Sequence, residues 1–390
     1  MKRIKNEGEM KIAYFAGAMK KGLDGVTRVL YRLTDYLNKN EIDAVFFSAV
    51  IPPENEQPVP MYSVPSVAFP LYKDYKVALP GYAFFEKKMK VYKPDIIHIN
   101  SPCPLGCAAV KYGNKYGIPV VATYHTHFAS YARYYNISML EGLGVNYLKK
   151  LYNRCQKVYV PSKPILKELA ELGINNLAYL PHGVDTKLFS PEYKSPQWRS
   201  GLNLDDKIVI LYAGRLVWEK DLKTLADTYE IIMQKYSNAV FVLAGDGPVK
   251  KELEKLMPDA IFLGYQSSEN LAKIYASSDI FVFPSTTETF GNVTLEAMAS
   301  GLPPVCVREG GAYGMIKEGI TGLIAEPRSS ADLAAKLGIL IEDKKFRSSM
   351  GYNGLTYAYK QSWDNIFDRM MESYTKVINE YRIKKLKTAA

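Results

Sequence analysis

The stretch Asp279-Ile280-Phe281-Val282-Phe283-Pro284, followed by Thr287-Glu288-Thr289-Phe290-Gly291-Asn292-Val293-Thr294-Leu295-Glu296, decides how this chain is read. The first part is an apolar strand, and residues Asn292 to Ser300 have the pattern of a helix, so the two glutamates flank a strand-to-helix turn. Glu288 and Glu296 are separated by seven residues, which at a helical rise sets them roughly 12 Å apart. That span reaches from a sugar hydroxyl, across a diphosphate, to a ribose. Between the glutamates, Gly291 and the first N–H groups of the helix face an anion. A nucleotide-sugar satisfies both ends and the middle.

Other segments repeat the strand-then-turn pattern. Gly214-Arg215-Leu216-Val217-Trp218-Glu219-Lys220 follows the strand Ile208 to Ala213 and frees Arg215 and Lys220 to project at the carboxyl end of a parallel strand, where open α/β sheets bind ligands. Two fixed cations there can neutralise a diphosphate. Val242-Leu243-Ala244-Gly245-Asp246-Gly247-Pro248 is a buried strand ending in a glycine turn through which backbone can approach a ligand. It is not Gly-x-Gly-x-x-Gly, so no nicotinamide site is read. Near the start, the strand Lys11 to Ala16 leads through Gly17 and a loop ending Gly22-Leu23-Asp24-Gly25-Val26-Thr27-Arg28 into a helix Val29 to Asn38. The four histidines, His98, His125, His127 and His182, lie at or just beyond the predicted strands Ile96 to Ile99, Val120 to Tyr124 and Leu177 to Leu180, on one edge of a parallel sheet.

The Glu-x7-Glu element, with Phe290-Gly291 inside it and Ala297-Met298-Ala299-Ser300-Gly301-Leu302-Pro303 after it, resembles the retaining glycosyltransferases of the GT-B fold, family 4. The resemblance covers about residues 11 to 380 and implies an α/β protein of two Rossmann-like domains facing a deep interdomain cleft, with a C-terminal helix crossing back onto the first domain. It assigns Arg215 and Lys220 to the leaving diphosphate, Glu288 to the sugar hydroxyls, Glu296 to the ribose, and the Phe290, Gly291 and Asn292 backbone to sugar and phosphate. Gly25, Gly214 and Gly245 join the donor site, with Asp24 standing where many members have a glycine. His125 aligns with the histidine beside the transferred sugar, and His182 replaces an asparagine common in Pro-Asn-Gly-Val-Asp. The proline-aromatic stretch Val64 to Pro80, Tyr124-His125-Thr126 and the aromatic run Phe128 to Tyr135 are similar to one subgroup: glucosyl- and sulfoquinovosyl-diacylglycerol synthases and GDP-mannose-dependent α-mannosyltransferases. The implied reaction is metal-independent and retaining, moving a hexose from a UDP- or GDP-linked donor to a hydroxyl acceptor, a membrane glycolipid or its precursor. No cofactor and no metal are expected, since no Asp-x-Asp lies near a predicted cleft strand. The alternatives are a sugar-nucleotide epimerase of the same fold, a transferase with a soluble acceptor, a non-catalytic scaffold, and His125-x-His127 as metal ligands.

Length and composition agree. A chain of 390 residues, 47% hydrophobic, exceeds one ordinary core and suits two domains. We expect a disordered tail at 1–10, with Met1 or Met10 as the start, an acceptor domain at 11–190 and a nucleotide-sugar domain at 191–362. The prolines of Ser190 to Trp198 read as the linker between them. A final amphipathic helix at 363–390 carries Trp363, Ile366, Met370, Tyr374, Val377 and Tyr381 on one face. Four cysteines without metal-ligand spacing suggest a reducing compartment, and the lack of a long apolar segment or signal core suggests a cytoplasmic protein.

Charge is uneven. Residues 1–190 carry 25 Lys and Arg against 15 Asp and Glu, whereas residues 191–390 carry 25 of each. A basic first half points to an anionic acceptor or an anionic membrane surface on the inner face of the membrane. No nucleic-acid motif accompanies it. In Gly81 to Lys93, Tyr82, Phe85, Met89 and Tyr92 share one helical face with Lys87, Lys88, Lys90 and Lys93 nearby, a pattern suited either to the headgroup region or to a core-packed helix with solvated lysines. Arg133, in the aromatic run, is the further acceptor-side candidate.

Overall fold

Strands that are apolar at every position, such as Ile12–Ala16 and Ile280–Phe283, must be covered on both faces, which is the condition of a parallel sheet flanked by helices. The chain builds two such sheets. The structure, a computed structural model, describes residues 10–20, 25–69, 72–79, 81–125 and 138–389. Residues 1–9, expected as a tail, and His127, Arg133 and the aromatic run lie outside the described residues. Two compact units result: Met1–Pro161, Leu166–Leu180 and Asp364–Ala390 form the first, and Ser162–Ile165 with Pro181–Trp363 the second.

In the first unit the strands are β1 (Ile12–Ala16), β2 (Ala44–Ser48), β3 (Met61–Ser63), β4 (Ser66–Phe69), β5 (Tyr72–Ala78), β6 (Ile96–Ile99), β7 (Val120–Thr123), β8 (Lys157–Val160) and β9 (Leu177–Tyr179). Seven of them form a parallel sheet in the order β3-β2-β1-β6-β7-β8-β9, while β4 and β5 make a separate antiparallel hairpin within the proline-aromatic stretch. The first helix runs Gly25–Lys39, a turn earlier than its apolar pattern suggests.

The C-terminal helix Trp363–Ala389 closes this unit, carrying Asp364–Ala390 back to it. Its Tyr374 is fully buried among Tyr14 of β1, His98 of β6 and Tyr159 of β8. Tyr159 donates to Ser373 Oγ at 2.8 Å, and Lys39 and Asp95 hold the helix edges through Asp364 and Arg382.

His98 is therefore a core residue. It lies inside β6, its Nδ1 bonded to the Tyr374 hydroxyl and its Nε2 to Thr123 Oγ1 at 2.7 Å. Strand parity turns it from the sheet edge toward the C-terminal helix.

The second unit contains β10 (Ile208–Ala213), β11 (Ala239–Ala244), β12 (Ile261–Gly264), β13 (Ile280–Phe283), β14 (Pro304–Val307) and β15 (Leu323–Ala325). They form one parallel sheet in the order β12-β11-β10-β13-β14-β15. The chain enters this unit at Pro181, ten residues before the expected boundary. Ser190 to Trp198 is not a linker: Ser190 and Ser195 cap a 3-10 turn Pro191–Tyr193 and a helix Pro196–Gly201, and Trp198 packs on the second unit's core. Each proline there starts a helix, where its missing N–H costs nothing.

Burial lowers the His98 pKa from its ordinary value to about 3. An unfolded histidine protonates near pH 6.5, so stability present above that pH is lost as pH falls from 6.5 toward 3, by at most about 1.4 kcal/mol per pH unit. His98→Gln should show a shallower decline of melting temperature between pH 6 and 4 than wild type. Identical slopes would assign the acid sensitivity to other groups.

Candidate active site

In an open parallel sheet, loops leaving the carboxyl ends of two strands diverge where the strand order reverses, and a crevice opens between them. In the second unit that reversal falls between β10 and β13. The loop after β10 carries Gly214 to Asp221, and the loop after β13 carries Ser285 to Gly291. Of the residues singled out in the sequence, Gly214, Arg215, Lys220, Glu288, Phe290 and Gly291 are therefore brought to the switch point.

Side chains tie these loops together. Lys220 Nζ donates to Glu288 Oε1 at 2.7 Å and to Thr287 Oγ1 at 3.2 Å. Thr287 Oγ1 donates to the Glu219 carbonyl at 3.1 Å, and the Thr286 N–H and hydroxyl both donate to Asp221. Burial pushes the Asp221 carboxyl up, opposed by its bonds from Thr286. Lys220 does not project freely, as the sequence suggests: its side chain is 11% exposed. Arg215 does, at 71% exposed, with a contact to the buried Glu219 carboxylate at 3.1 Å. Tyr212 donates to the Arg215 carbonyl, and burial together with the Glu288 charge pushes its phenol up.

The glycines serve mainly to bring these loops close. Gly245 adopts φ +155°, and a Cβ there would lie 1.8 Å from the Gly214 carbonyl oxygen. Gly245 has a packing role, since the turns after β10 and β11 touch backbone to backbone through Gly214 N–H to Ala244 O and Leu216 N–H to Asp246 O. Gly214 itself, at φ +154°, lies under the Tyr212 hydroxyl. Gly291, at φ +84°, begins the helix Asn292–Ala299, and a Cβ on it would lie 2.7 Å from Ala312 Cβ.

Two residues not singled out in the sequence complete the turn. Gly310 and Gly311, after β14, press on the β13 loop: Gly311 donates to the Glu288 carbonyl at 2.6 Å. The Gly-Gly pair after an apolar strand was the available signal.

Glu296 sits in the buried part of the helix Asn292–Ala299, 8% exposed, and accepts from Tyr275 at 3.4 Å. Phe290 is buried. His182 belongs to this unit rather than to the first: its Nδ1 bonds Asn292 Oδ1 at 2.9 Å, and its ring lies 5.0 Å from that of Phe290.

The first unit repeats the arrangement, with its order reversing between β1 and β6. Gly25 starts its helix, and among the described residues nothing lies within 4 Å of a Cβ built on it. Asn100 follows β6 and accepts from His125 Nε2 at 3.4 Å, while His125 stands just beyond β7. Among the described residues no cluster of three His, Cys, Asp or Glu side chains forms a metal site, and no helix is long and apolar enough to cross a membrane.

The expected membrane face is turned inward. In the helix Ala83–Tyr92, Phe85 and Met89 are 1% exposed; the Phe85 ring packs 4.8 Å from Phe15, and Tyr92 donates to Asp43 at 2.9 Å. Tyr82 accepts from Lys115. The opposite face is the exposed one, with Phe84, Lys87, Lys88 and Val91 in a single stripe and Lys90 and Lys93 beside it. Lys90 pairs with Glu86 at 3.1 Å, and Lys88 lies over the Tyr62 ring.

A methyl group at Gly311 would meet the Thr289 carbonyl oxygen at 1.9 Å, whereas one at Gly25 would meet nothing among the described residues within 4 Å. Gly311→Ala should cost about 1–3 kcal/mol in overpacking, and Gly25→Ala less than about 0.5 kcal/mol. Denaturant melts of both variants measure this. Equal stability would mean that the β13 loop yields to the added carbon.

Comparison with known proteins identifies the family and the fold. Residues 194–356 match the family of glycosyl transferases group 1, and residues 23–188 that of glycosyltransferase family 4. A GDP-mannose-dependent alpha-mannosyltransferase of Corynebacterium glutamicum is 31% identical over 379 residues, covering 95% of this chain and 89% of that one. The alpha-monoglucosyldiacylglycerol synthase of Streptococcus pneumoniae is 27% identical, covering 76% and 70%. The crystal structure of HepE from Anabaena in complex with UDP has the same fold, with a TM-score of 0.75 at 20% identity, covering 94% of this chain and all of that one.

Proposed function

Since the chain belongs to the family 4 glycosyltransferases of the GT-B fold, we propose that it transfers a hexose, with retention and without a metal ion, from a nucleoside-diphosphate sugar to the hydroxyl of a membrane lipid or lipid precursor. The observation that carries this reading is the contact of Lys220 with Glu288 at the switch point, with the exposed Arg215 on the same loop. A carboxylate fixed by a lysine is held to accept from sugar hydroxyls, and two cations beside a helix N-terminus stabilise the charge that develops on a departing diphosphate. Glu296 is the acceptor for ribose hydroxyls. His125, oriented by Asn100, is assigned to the transferred sugar. No group is assigned as nucleophile, so the reaction proposed is same-face substitution: the bond from the anomeric carbon to the leaving phosphate breaks, the acceptor oxygen takes its place, and the acceptor proton passes to the phosphate.

The lipid acceptor is supported by the diacylglycerol named for the Streptococcus pneumoniae relative, and by the basic excess of residues 1–190. The stripe of Phe84, Lys87, Lys88 and Val91 supplies a docking surface that differs from the one read in the sequence. Apolar side chains flanked by lysines suit an anionic headgroup layer, each lysine contributing about 1 kcal/mol. The location proposed with this acceptor is the cytoplasm, on the inner face of the membrane.

Transfer is tested with UDP-glucose and GDP-mannose as donors and diacylglycerol in mixed micelles as acceptor, with and without EDTA. Arg215→Ala should weaken diphosphate binding about tenfold, the loss of one charge-assisted contact. Lys220→Ala should slow transfer about 100-fold, because it also releases Glu288. Loss of activity in EDTA, restored by magnesium or manganese, would overturn the metal-independent scheme. Wild-type activity in both variants would remove the cations from the site.

Docking is tested by cosedimentation with vesicles. Binding to anionic but not neutral vesicles is expected, lost when Lys87, Lys88, Lys90 and Lys93 become Gln and reduced by Phe84→Ser with Val91→Ser. Binding that ignores these changes would favour a soluble acceptor.

A further inference from the structure

His182 is the residue whose role changes most between sequence and structure. It is 9% exposed, 110 residues from its partner Asn292, and its ring makes tilted contacts with those of Phe290, at 5.0 Å, and Trp363, at 6.0 Å between ring centres. The chain around it is fixed. Val184 N–H donates to the Gln361 carbonyl at 2.8 Å, and a Cβ on Gly183 would meet the Trp363 backbone at 2.7 Å. The imidazole is thus held in one position, with its Nδ1 on Asn292.

Asn292 is the first residue of the helix Asn292–Ala299. Among the described residues, its half-exposed side chain has His182 as its hydrogen-bond partner, made through Oδ1. With Oδ1 accepting from Nδ1–H, the two N–H donors of the amide are presented elsewhere in the first helical turn, beside backbone N–H groups that have no partner within the helix. The reverse amide orientation would set a carbonyl oxygen among those donors and repel an anion.

We propose that His182 fixes the Asn292 amide so that its Nδ2 donates a hydrogen bond to the donor diphosphate, making His182 a positioning residue of the donor site. This rests on the nucleotide-sugar reading above and deepens it. The histidine acts as a neutral group, since burial brings its pKa down to about 4, and it supplies orientation rather than charge. It requires the Nδ1–H tautomer, because the tautomer of a neutral imidazole is set by the bond its ring nitrogen makes.

Asparagine places an N–H donor near the position of histidine Nδ1, glutamine near that of Nε2, and phenylalanine retains the ring without either. The experiment is calorimetric titration of UDP and GDP into wild type, His182→Phe, His182→Gln, His182→Asn, Asn292→Ala and the double variant His182→Phe with Asn292→Ala. His182→Phe, His182→Gln and Asn292→Ala should each bind the preferred diphosphate about tenfold more weakly, the double variant no more weakly than either, and His182→Asn within about twofold of wild type. Long-range nitrogen–proton NMR of the wild-type complex should show Nδ1–H at His182, a readout that stands even if a variant fails to fold. Losses that add in the double variant, wild-type affinity in His182→Phe, or an Nε2–H tautomer would each overturn the role of His182. A wild type that binds neither diphosphate would instead sink the donor reading, and this proposal with it.

Discussion

The reversal of strand order between β10 and β13 is the constraint on which the proposed donor site depends. Parallel strands send their connections away in opposite directions from such a point, so two loops flank a gap that the sheet itself does not fill. What remains is to hold the loops at a fixed separation. Side-chain contacts do this: Lys220 to Glu288 and to Thr287, Thr287 to the Glu219 carbonyl, and Thr286 to Asp221. A loop tied only by backbone would leave the carboxylate of Glu288 free to rotate. Its lysine partner, largely buried, removes that freedom and keeps a positive charge beside the place where a diphosphate is proposed to bind.

Neighbouring loops set how tightly this arrangement closes. Gly245 and Gly311 each stand where any side chain would strike backbone, so the turns after β11 and β14 press on those after β10 and β13. Rigid support of this kind lets a small number of polar groups keep a productive geometry. In the first unit the supporting element is different. There the C-terminal helix covers Tyr14, His98 and Tyr159, and a chain of hydroxyl and imidazole contacts replaces what would otherwise be buried polar groups without partners. The last part of the sequence thereby becomes necessary to the sheet that begins it.

The basic charge of residues 1–190 acquires direction only in the folded unit. Lys87, Lys88, Lys90 and Lys93 surround one exposed helical face, and the apolar side chains available on that face are Phe84 and Val91. Phe85 and Met89 serve the core. A helix of ten residues with apolar groups on two faces is oriented by what it packs on, here Phe15, Phe47 and Tyr112, and not by its periodicity.

The sequence by itself determined the two α/β halves, the position of most strands, and the candidates Arg215, Lys220, Glu288 and Glu296 for the proposed donor site, because apolar runs, glycine turns and helix starts are local signals that survive without tertiary context. Tertiary structure decided which similar residues do different work. His98 and His125 stand at the ends of comparable strands, yet one falls within its strand under the C-terminal helix and the other just beyond, beside Asn100. Prolines that read as a linker start capped helices, because their serines find N–H groups only once the turn forms. His182 meets Asn292 across 110 residues, and Gly245 meets Gly214 across a strand pair; no local pattern encodes either contact. Contacts of that kind depend on register and on the path of the chain between them, and these are fixed only when the sheets pair and pack.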